Sequence, residues 1–355
     1  MGSAQNIINL TSILHTDPVQ IEKLMAFCKA PIDDLEIIER NVGGNNIVLK
    51  VLISGRFYAL KKYNTSKFDN RNRLKAEWDF ISLVKNVDSN SPIPTPYALN
   101  EDASMAIYEF IEGNRISSDT ITASNISSAI QFIKTLNTPL MQDSAAHLPI
   151  ASDAKFSVND HIDFVRDKIT ELQLIKDKDT ASTDLLTDMA TSLMQIETRI
   201  IPMVTDKGFK IDEVLPQKER CLSPSDFGFH NTIKTKSGSL VFIDFEYAGW
   251  DDPAKLSADF FFQPQIPVPQ EYYDKFLASC LSYLNKDRLQ LHITRAKFLR
   301  PLFGLRWCSI LLNPLRLDWA NARGLDQDTQ KYKATCRDRI ETAKVILSRC
   351  NEEFY

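Results

Sequence analysis

Residues 221–247 read CLSPSDFGFHNTIKTKSGSLVFIDFEY, and the fold turns on this stretch. KSGS at 236–239 is a hairpin signal, with Ser237-Gly238 as a two-residue turn between runs rich in β-branched and aromatic residues. That turn puts Asn231 opposite Asp244 at the open end of the hairpin. Asp226 lies on an irregular segment with Pro224 and Gly228 and can reach the same end. Three oxygen-bearing side chains therefore converge through one local element.

Such a cluster has a chemical use. Mg²⁺ keeps several waters and takes one or two protein oxygens together with phosphate oxygens, a role that suits Asn231 and Asp244. Phosphoryl transfer also needs a carboxylate to orient the attacking hydroxyl and accept its proton, and that residue is Asp226. Singly, each of these residues also reads as a turn cap, a loop residue or a strand end.

D-F-G-F-H-N at 226–231 followed by V-F-I-D-F-E at 241–246 resembles the catalytic loop and metal-binding strand of the aminoglycoside phosphotransferase and choline kinase superfamily, small-molecule relatives of the protein kinases. The resemblance implies an α+β, two-lobed protein-kinase-like fold, with a small antiparallel-sheet N-lobe and a larger, mainly helical C-lobe. It makes Asp226 the catalytic base and Asn231 and Asp244 the magnesium ligands. The usual loop begins H-x-D, and this chain has Pro224 where that histidine stands, which bears on the loop's support more than on its chemistry.

Upstream, LEIIERN, NNIVLKVLI and RFYALKKY (residues 35–63) are strand-like runs separated by Gly43-Gly44 and Ser54-Gly55, a three-stranded meander. In kinase-like folds the first turn covers the nucleotide phosphates, which makes Gly43, Gly44 and Asn45 candidate phosphate-binding positions. It is not a Walker motif. On the third strand, alternation separates Phe57, Ala59 and Lys61 from Tyr58, Leu60 and Lys62. Y-A-L-K resembles the kinase V-A-I-K element, so Lys61 is the expected phosphate ligand, with Lys62 one residue away. Residues 69–86 read as a helix with Leu74, Trp78 and Ile81 in register and Asp69 or Asn70 as cap. Its Glu77 resembles the glutamate that holds the strand lysine.

SPIPTP at 91–96 is a rigid connector. MAIYEFIEGNRI then reads as a buried strand with a turn at Gly113, resembling the interlobe hinge, so main-chain groups of Glu109, Phe110 and Ile111 are expected to contact adenine. Two helical stripes follow, Ile162, Val165, Ile169 and Leu172, then Leu186, Met189, Leu193, Ile196 and Ile200, both read as scaffold without ionisable groups on the apolar face. Asp252 before Pro253 reads as a helix cap. Residues from 271 onward are helical by pattern, and Trp307 or Trp319 is a candidate for a pocket wall. The expected organisation is a helical segment at 1–34, an N-lobe at 35–112 and a C-lobe at 113–355.

The chain has 355 residues, 43% hydrophobic and 25% charged, with a net charge of −4, ordinary for a globular protein. No basic run long enough to follow a nucleic-acid backbone is present. The six cysteines are scattered without a C-x-x-C pair, which fits reduced thiols in a cytoplasmic protein. No signal peptide or membrane span is expected. Together these features imply an ATP- and Mg²⁺-dependent kinase of a small hydroxylated metabolite, such as an amino alcohol, sugar or aminoglycoside. The alternative is a catalytically silent kinase-fold protein that binds nucleotide or a protein partner. A peptide-directed kinase fits less well, because Glu246 stands where D-F-G has its glycine and no A-P-E segment follows.

Overall fold

Helix α1 (Pro18–Met25) begins where Asp17-Pro18 signals it, with the Asp17 carboxylate accepting from the Val19 amide at 2.9 Å. The meander follows as β1 (Leu35–Val42), β2 (Asn46–Ile53) and β3 (Arg56–Tyr63). Ser54 and Gly55 both take positive φ, 47° and 80°, the geometry of a two-residue hairpin turn that matches strand twist. In this computed structural model, residues 10–42, 46–64, 71–176, 178–321, 325–326 and 329–352 are described. Gly43, Gly44 and Asn45 lie outside the described residues.

The sheet is larger than the meander. Residues 96–100 form β4 and Met105–Glu109 form β5, and the antiparallel order is β1-β2-β3-β5-β4. Leu24, Met25, Leu49, Val51, Tyr58, Leu60 and Ile107 make one buried layer between α1 and the sheet, each large side chain contributing about 1.5–3 kcal/mol by leaving water. The opposite face of β3 carries Lys61 and Tyr63. Helix α2 (Arg73–Val87) supplies Glu77, and its cap is Asn72, whose side chain accepts from Lys75 N at 3.0 Å, so the helix starts later than Asp69 or Asn70 would place it.

Gly113 is not at a turn. Residues 113–115 form β6 and pair with β8 (Thr232–Thr235); a Cβ at Gly113 would lie 2.3 Å from the Lys234 carbonyl oxygen. The hairpin from β8 to β9 (Leu240–Phe242) also differs from expectation by one residue. Its loop is Lys236, Ser237 and Gly238, closed by Thr235 N on Ser239 O at 2.9 Å, with Gly238 at φ 87°. The register pairs Thr232 with Phe242 and Ile233 with Val241, so Asn231 meets Ile243 rather than Asp244, and its carbonyl accepts from Ile243 N at 3.0 Å.

Two compact units result, one comprising Met1–Ile116, Asp143–Pro149 and Asn231–Gly249, the other Ser117–Gln142, Ile150–His230 and Trp250–Tyr355. The second is mainly helical: α3 (Ala123–Leu136), α4 (Pro139–Ser144) in part, α5 (Val158–Gln173), α6 (Thr180–Asp206), α7 (Pro253–Phe262), α8 (Tyr273–Cys280), α9 (Lys286–Leu311), α10 (Leu317–Asn321) and α11 (Gln330–Glu352). Helix α9 packs against α5, α6, α7 and α11. The two stripes read in the sequence are buried on α5 and α6. One reading of them fails, because His161 is buried in line with the α5 stripe and meets Asp252 at 3.0 Å. A small antiparallel sheet and a mainly helical part are the components of the expected α+β, protein-kinase-like fold. Among the described residues no helix is long and apolar enough to cross a membrane.

Candidate active site

Alternation on β3 sends Lys61 and Tyr63 to the same side, where α2 presents Glu77. The Lys61 ammonium lies 2.6 Å from Glu77 Oε2 and 2.6 Å from Asp244 Oδ1, with Glu246 Oε2 at 3.8 Å. Glu77 is 3% exposed and fully engaged: Tyr63 donates to Oε2 at 2.7 Å, and the Phe245 amide donates to Oε1 at 3.2 Å. The Tyr63 and Tyr108 hydroxyls are 2.9 Å apart, extending the network inward. Asn46, at the start of β2, donates to Glu246, while its own Oδ1 is buried without a hydrogen-bond partner among the described residues.

Burial opposes the charge on Lys61, yet Asp244, Glu77 and Glu246 together hold the ammonium well above its ordinary pKa. Burial pushes the Glu77 carboxyl up in spite of Lys61. Lys61 therefore stays charged and is outnumbered by carboxylates. Oxygens of Glu77, Asp244 and Glu246 lie within 4.8 Å of one another, a set of hard oxygen donors of the kind that fits a divalent cation such as Mg²⁺. Asp244 is held at φ 70°, a backbone region that costs a residue other than glycine energy and that clusters at functional positions.

Of the residues singled out in the sequence, the structure brings Lys61, Glu77 and Asp244 together. Lys62 points away, donating to the Ala103 carbonyl. The Glu109 amide is committed to Thr95 O at 2.8 Å, and its carboxylate accepts from the Thr95 hydroxyl at 2.9 Å. The Glu109 N–H is thereby used, and the expected main-chain contacts of Glu109, Phe110 and Ile111 rest on their other backbone groups. The Phe110 ring lies 6.3 Å from that of Phe57, and Lys50 Nζ stands 4.2 Å and 4.4 Å over the two rings. Sequence reasoning assigned no role to Tyr63, Glu246 or Asn46. Two of them were within reach, since Tyr63 and Glu246 each stand two residues beyond an assigned one.

Asp226 belongs to the second unit, on the loop after β7 (Cys221–Ser223). Ser225 takes φ 65°, its amide donates to Ser223 Oγ at 2.9 Å, and the Asp226 amide donates to Pro224 O at 2.9 Å. Phe227 and Phe229 anchor the loop: Phe227 stacks on Phe260 at 5.2 Å and Phe229 meets the same ring edge-on at 5.5 Å. His230 returns to place Nε2 3.2 Å from Asp226 Oδ1.

A buried ionic frame adjoins this loop. Lys255 donates to Ser225 Oγ at 3.3 Å and to Asp251 at 2.9 Å, and lies 3.3 Å from Asp259. Asp259 also accepts from Arg306 at 2.8 Å and from the Trp307 indole at 2.9 Å, which makes Trp307 part of the frame. Asp252 caps α7 as expected, accepting from Ala254 N at 2.8 Å, and takes both arms of Arg295 at 3.0 and 2.7 Å. Against the upward push of burial, Arg295 and His161 hold the Asp252 carboxyl far below the usual range, whereas burial lowers His161. With Pro224 in place of the histidine, Ser223 and Lys255 tie down the residue before Asp226.

No protein-family model matches the sequence, and no curated protein matches it. Solved structures do match. The choline kinase of Cryptosporidium parvum aligns with a TM-score of 0.59 at 14% identity, over 98% of this chain and 100% of that one. An ethanolamine kinase of Plasmodium vivax aligns with 0.51 at 18% identity, over 88% and 84%. An ADP-bound aminoglycoside phosphotransferase aligns with 0.52 at 15% identity, over 94% and 99%. At these identities the likeness shows the fold alone, the protein-kinase-like fold that these three kinases share.

Proposed function

We propose that this protein is a small-molecule kinase that moves the γ-phosphoryl group of ATP to a hydroxyl of a small metabolite of the amino alcohol, sugar or aminoglycoside type. The observation that carries the reading is Lys61 buried between Glu77 and Asp244. Structure for its own sake gives little reason to hold one buried ammonium 2.6 Å from two carboxylates at once, one of them on a side chain 40% exposed, since burying an ammonium is costly. A nucleotide phosphate with its cation does give a reason, because Lys61 can then pair with phosphate and the carboxylates with metal.

In this reading Lys61, held by Glu77, binds the nucleotide phosphates, and Glu109, Phe110 and Ile111 take adenine by main chain. Asn231 and Asp244 hold Mg²⁺, with Glu246 close by. The metal, when bound, neutralises charge on the transferring phosphoryl group. Asp226 accepts a hydrogen bond from the acceptor hydroxyl, which fixes the oxygen for in-line attack. As the bond from that oxygen to phosphorus forms and the bond to the ADP oxygen breaks, the hydroxyl proton passes to the Asp226 carboxylate. No covalent enzyme intermediate is needed. The ethanolamine, choline and aminoglycoside kinases that share this fold support a small hydroxyl-bearing acceptor.

ADP release, measured with Mg·ATP across amino alcohols, sugars, aminoglycosides and nucleosides, tests this. One class is expected to raise release above background, and Asp226→Ala to slow it by about 10²–10⁴-fold, the worth of a positioned general base. Turnover unchanged in Asp226→Ala would remove the assignment of the base, and absence of ATP binding would remove the whole reading.

A further inference from the structure

We propose that His230 is the positioning residue of Asp226, doing locally what the loop cannot obtain from Pro224. The inference rests on the reading of Asp226 as the base. Phe227 and Phe229 are 3% and 0% exposed and both pack on Phe260, while the bends after Pro224 and the 3-10 turn at Phe229–Asn231 bring residue 230 back to residue 226. The His230 side chain is 7% exposed and that of Asp226 38%, so a shielded ring backs a carboxylate that still reaches solvent.

Gly228 makes the arrangement possible. A Cβ there would lie 2.6 Å from His230 Nδ1 and 2.8 Å from Cε1, inside the contact limit of any side chain. The glycine of D-F-G-F-H therefore opens the space into which the ring folds back over its own loop. An ionised carboxylate can only accept, so the 3.2 Å contact is a hydrogen bond when Nε2 carries the hydrogen. His230 then holds one carboxylate oxygen and fixes the rotamer in which Asp226 meets the acceptor hydroxyl. Such contacts are long without substrate and shorten when it binds. His230 itself exchanges no proton with substrate.

The test uses the full chain and two readouts. His230→Leu is expected to lower kcat by about 10²-fold, the scale of a small misplacement of a reacting group, with KM for ATP unmoved. His230→Gln, which offers an amide N–H at similar reach, should restore most of kcat. Gly228→Ala should reproduce the loss by displacing the ring. Wild-type turnover in His230→Leu, or equal losses in His230→Leu and His230→Gln, would overturn the proposal while leaving Asp226 as base. The second readout needs no turnover: at fixed pH, ring ¹⁵N spectra should show His230 protonated at Nε2 with slow exchange, and Asp226→Ala should abolish that protection. A ring protonated only at Nδ1 in the wild type would overturn the proposal even if no acceptor were found, whereas the expected spectrum without any turnover would count against the kinase reading alone.

Discussion

Two lysines of this chain are buried among carboxylates, and they differ in what their surroundings leave undone. Lys255 sits between Asp251 and Asp259, with Arg306 on Asp259 and on Asp153. The Lys255 and Asp251 side chains are wholly buried, and positive and negative groups are nearly matched. Lys61 faces Glu77, Asp244 and Glu246 without a second cation among the described ion pairs, and the Asp244 side chain is 40% exposed at a left-handed φ. The cluster closed around Lys255, with two cations to three carboxylates and Asp153 at its edge 39% exposed, is a frame. The cluster at Lys61 instead sets its ammonium 2.6 Å from both Glu77 and the part-exposed Asp244, the arrangement that the proposed nucleotide and cation site requires.

The sharpest way to break this contrast is to remove one carboxylate from the frame. Asp252→Asn leaves the Arg295 guanidinium buried without its counter-ion and is expected to cost about 3–5 kcal/mol of stability, as for other broken buried pairs. Chemical denaturation reads this directly. Asp244→Asn is the mirror experiment. It takes one of two close counter-ions from Lys61 at a backbone position asparagine tolerates but leaves Glu77 at 2.6 Å, so stability should fall by less than in Asp252→Asn, while turnover falls by about 10²–10³-fold, the worth of one electrostatic contact to a developing charge. If Asp244→Asn unfolds the protein and Asp252→Asn spares it, the two clusters have been assigned the wrong way round.

Acidification should act on the frame through Asp252 and His161 together. The Asp252 carboxyl is held far below its ordinary value despite burial, because Arg295 and His161 oppose it. Its contribution is complete above the unfolded carboxyl value near pH 4 and is lost as pH falls toward the folded one. His161 is lowered by burial, so the unfolded chain takes up its proton first, below about pH 6.5, and stability falls there too. Melting temperature followed from about pH 8 down to about pH 2 should therefore drop, first through His161 and then through Asp252, and Asp252→Asn should remove the second stage and steepen the first, since that carboxylate props the imidazole up against burial. A wild-type melting temperature that rises on acidification would contradict both signs.

Local chemistry was legible and long-range pairing was not. Ser54-Gly55, the alternation of β3, the cap at Asp17 and the stripes of α5 and α6 each follow from residues close in sequence. So did Lys61, Glu77 and Asp244, though only because their order along the chain resembles a known one. The hairpin register failed by one residue because Ser237-Gly238 has the composition of a two-residue turn, while Gly238 in fact supplies the left-handed end of a longer loop. The frame was invisible: Arg295 finds Asp252 from 43 residues away and Arg306 finds Asp259 from 47, and no periodicity announces such partners. His161 looked like one more polar residue beside an apolar stripe until its partner was placed.

The smallest expected effect tests the register of β3 itself. Lys61 and Lys62 are adjacent, and a slip of one residue would exchange their faces. Lys62 is less enclosed and gives its ammonium to the Ala103 carbonyl, and burial alone lowers its pKa. Lys62→Ala should therefore cost no more than one hydrogen bond, about 0.5–1.5 kcal/mol, and leave kcat and KM for ATP unchanged. Lys61→Ala, one residue earlier, strips the only cation from Glu77 and Asp244 in the described ion pairs and should weaken ATP binding and turnover together. Measured side by side, equal kinetic losses in the two variants would mean that the acidic cluster does not read the strand face by face. A loss confined to Lys61→Ala would tie the chemistry to one side of one strand.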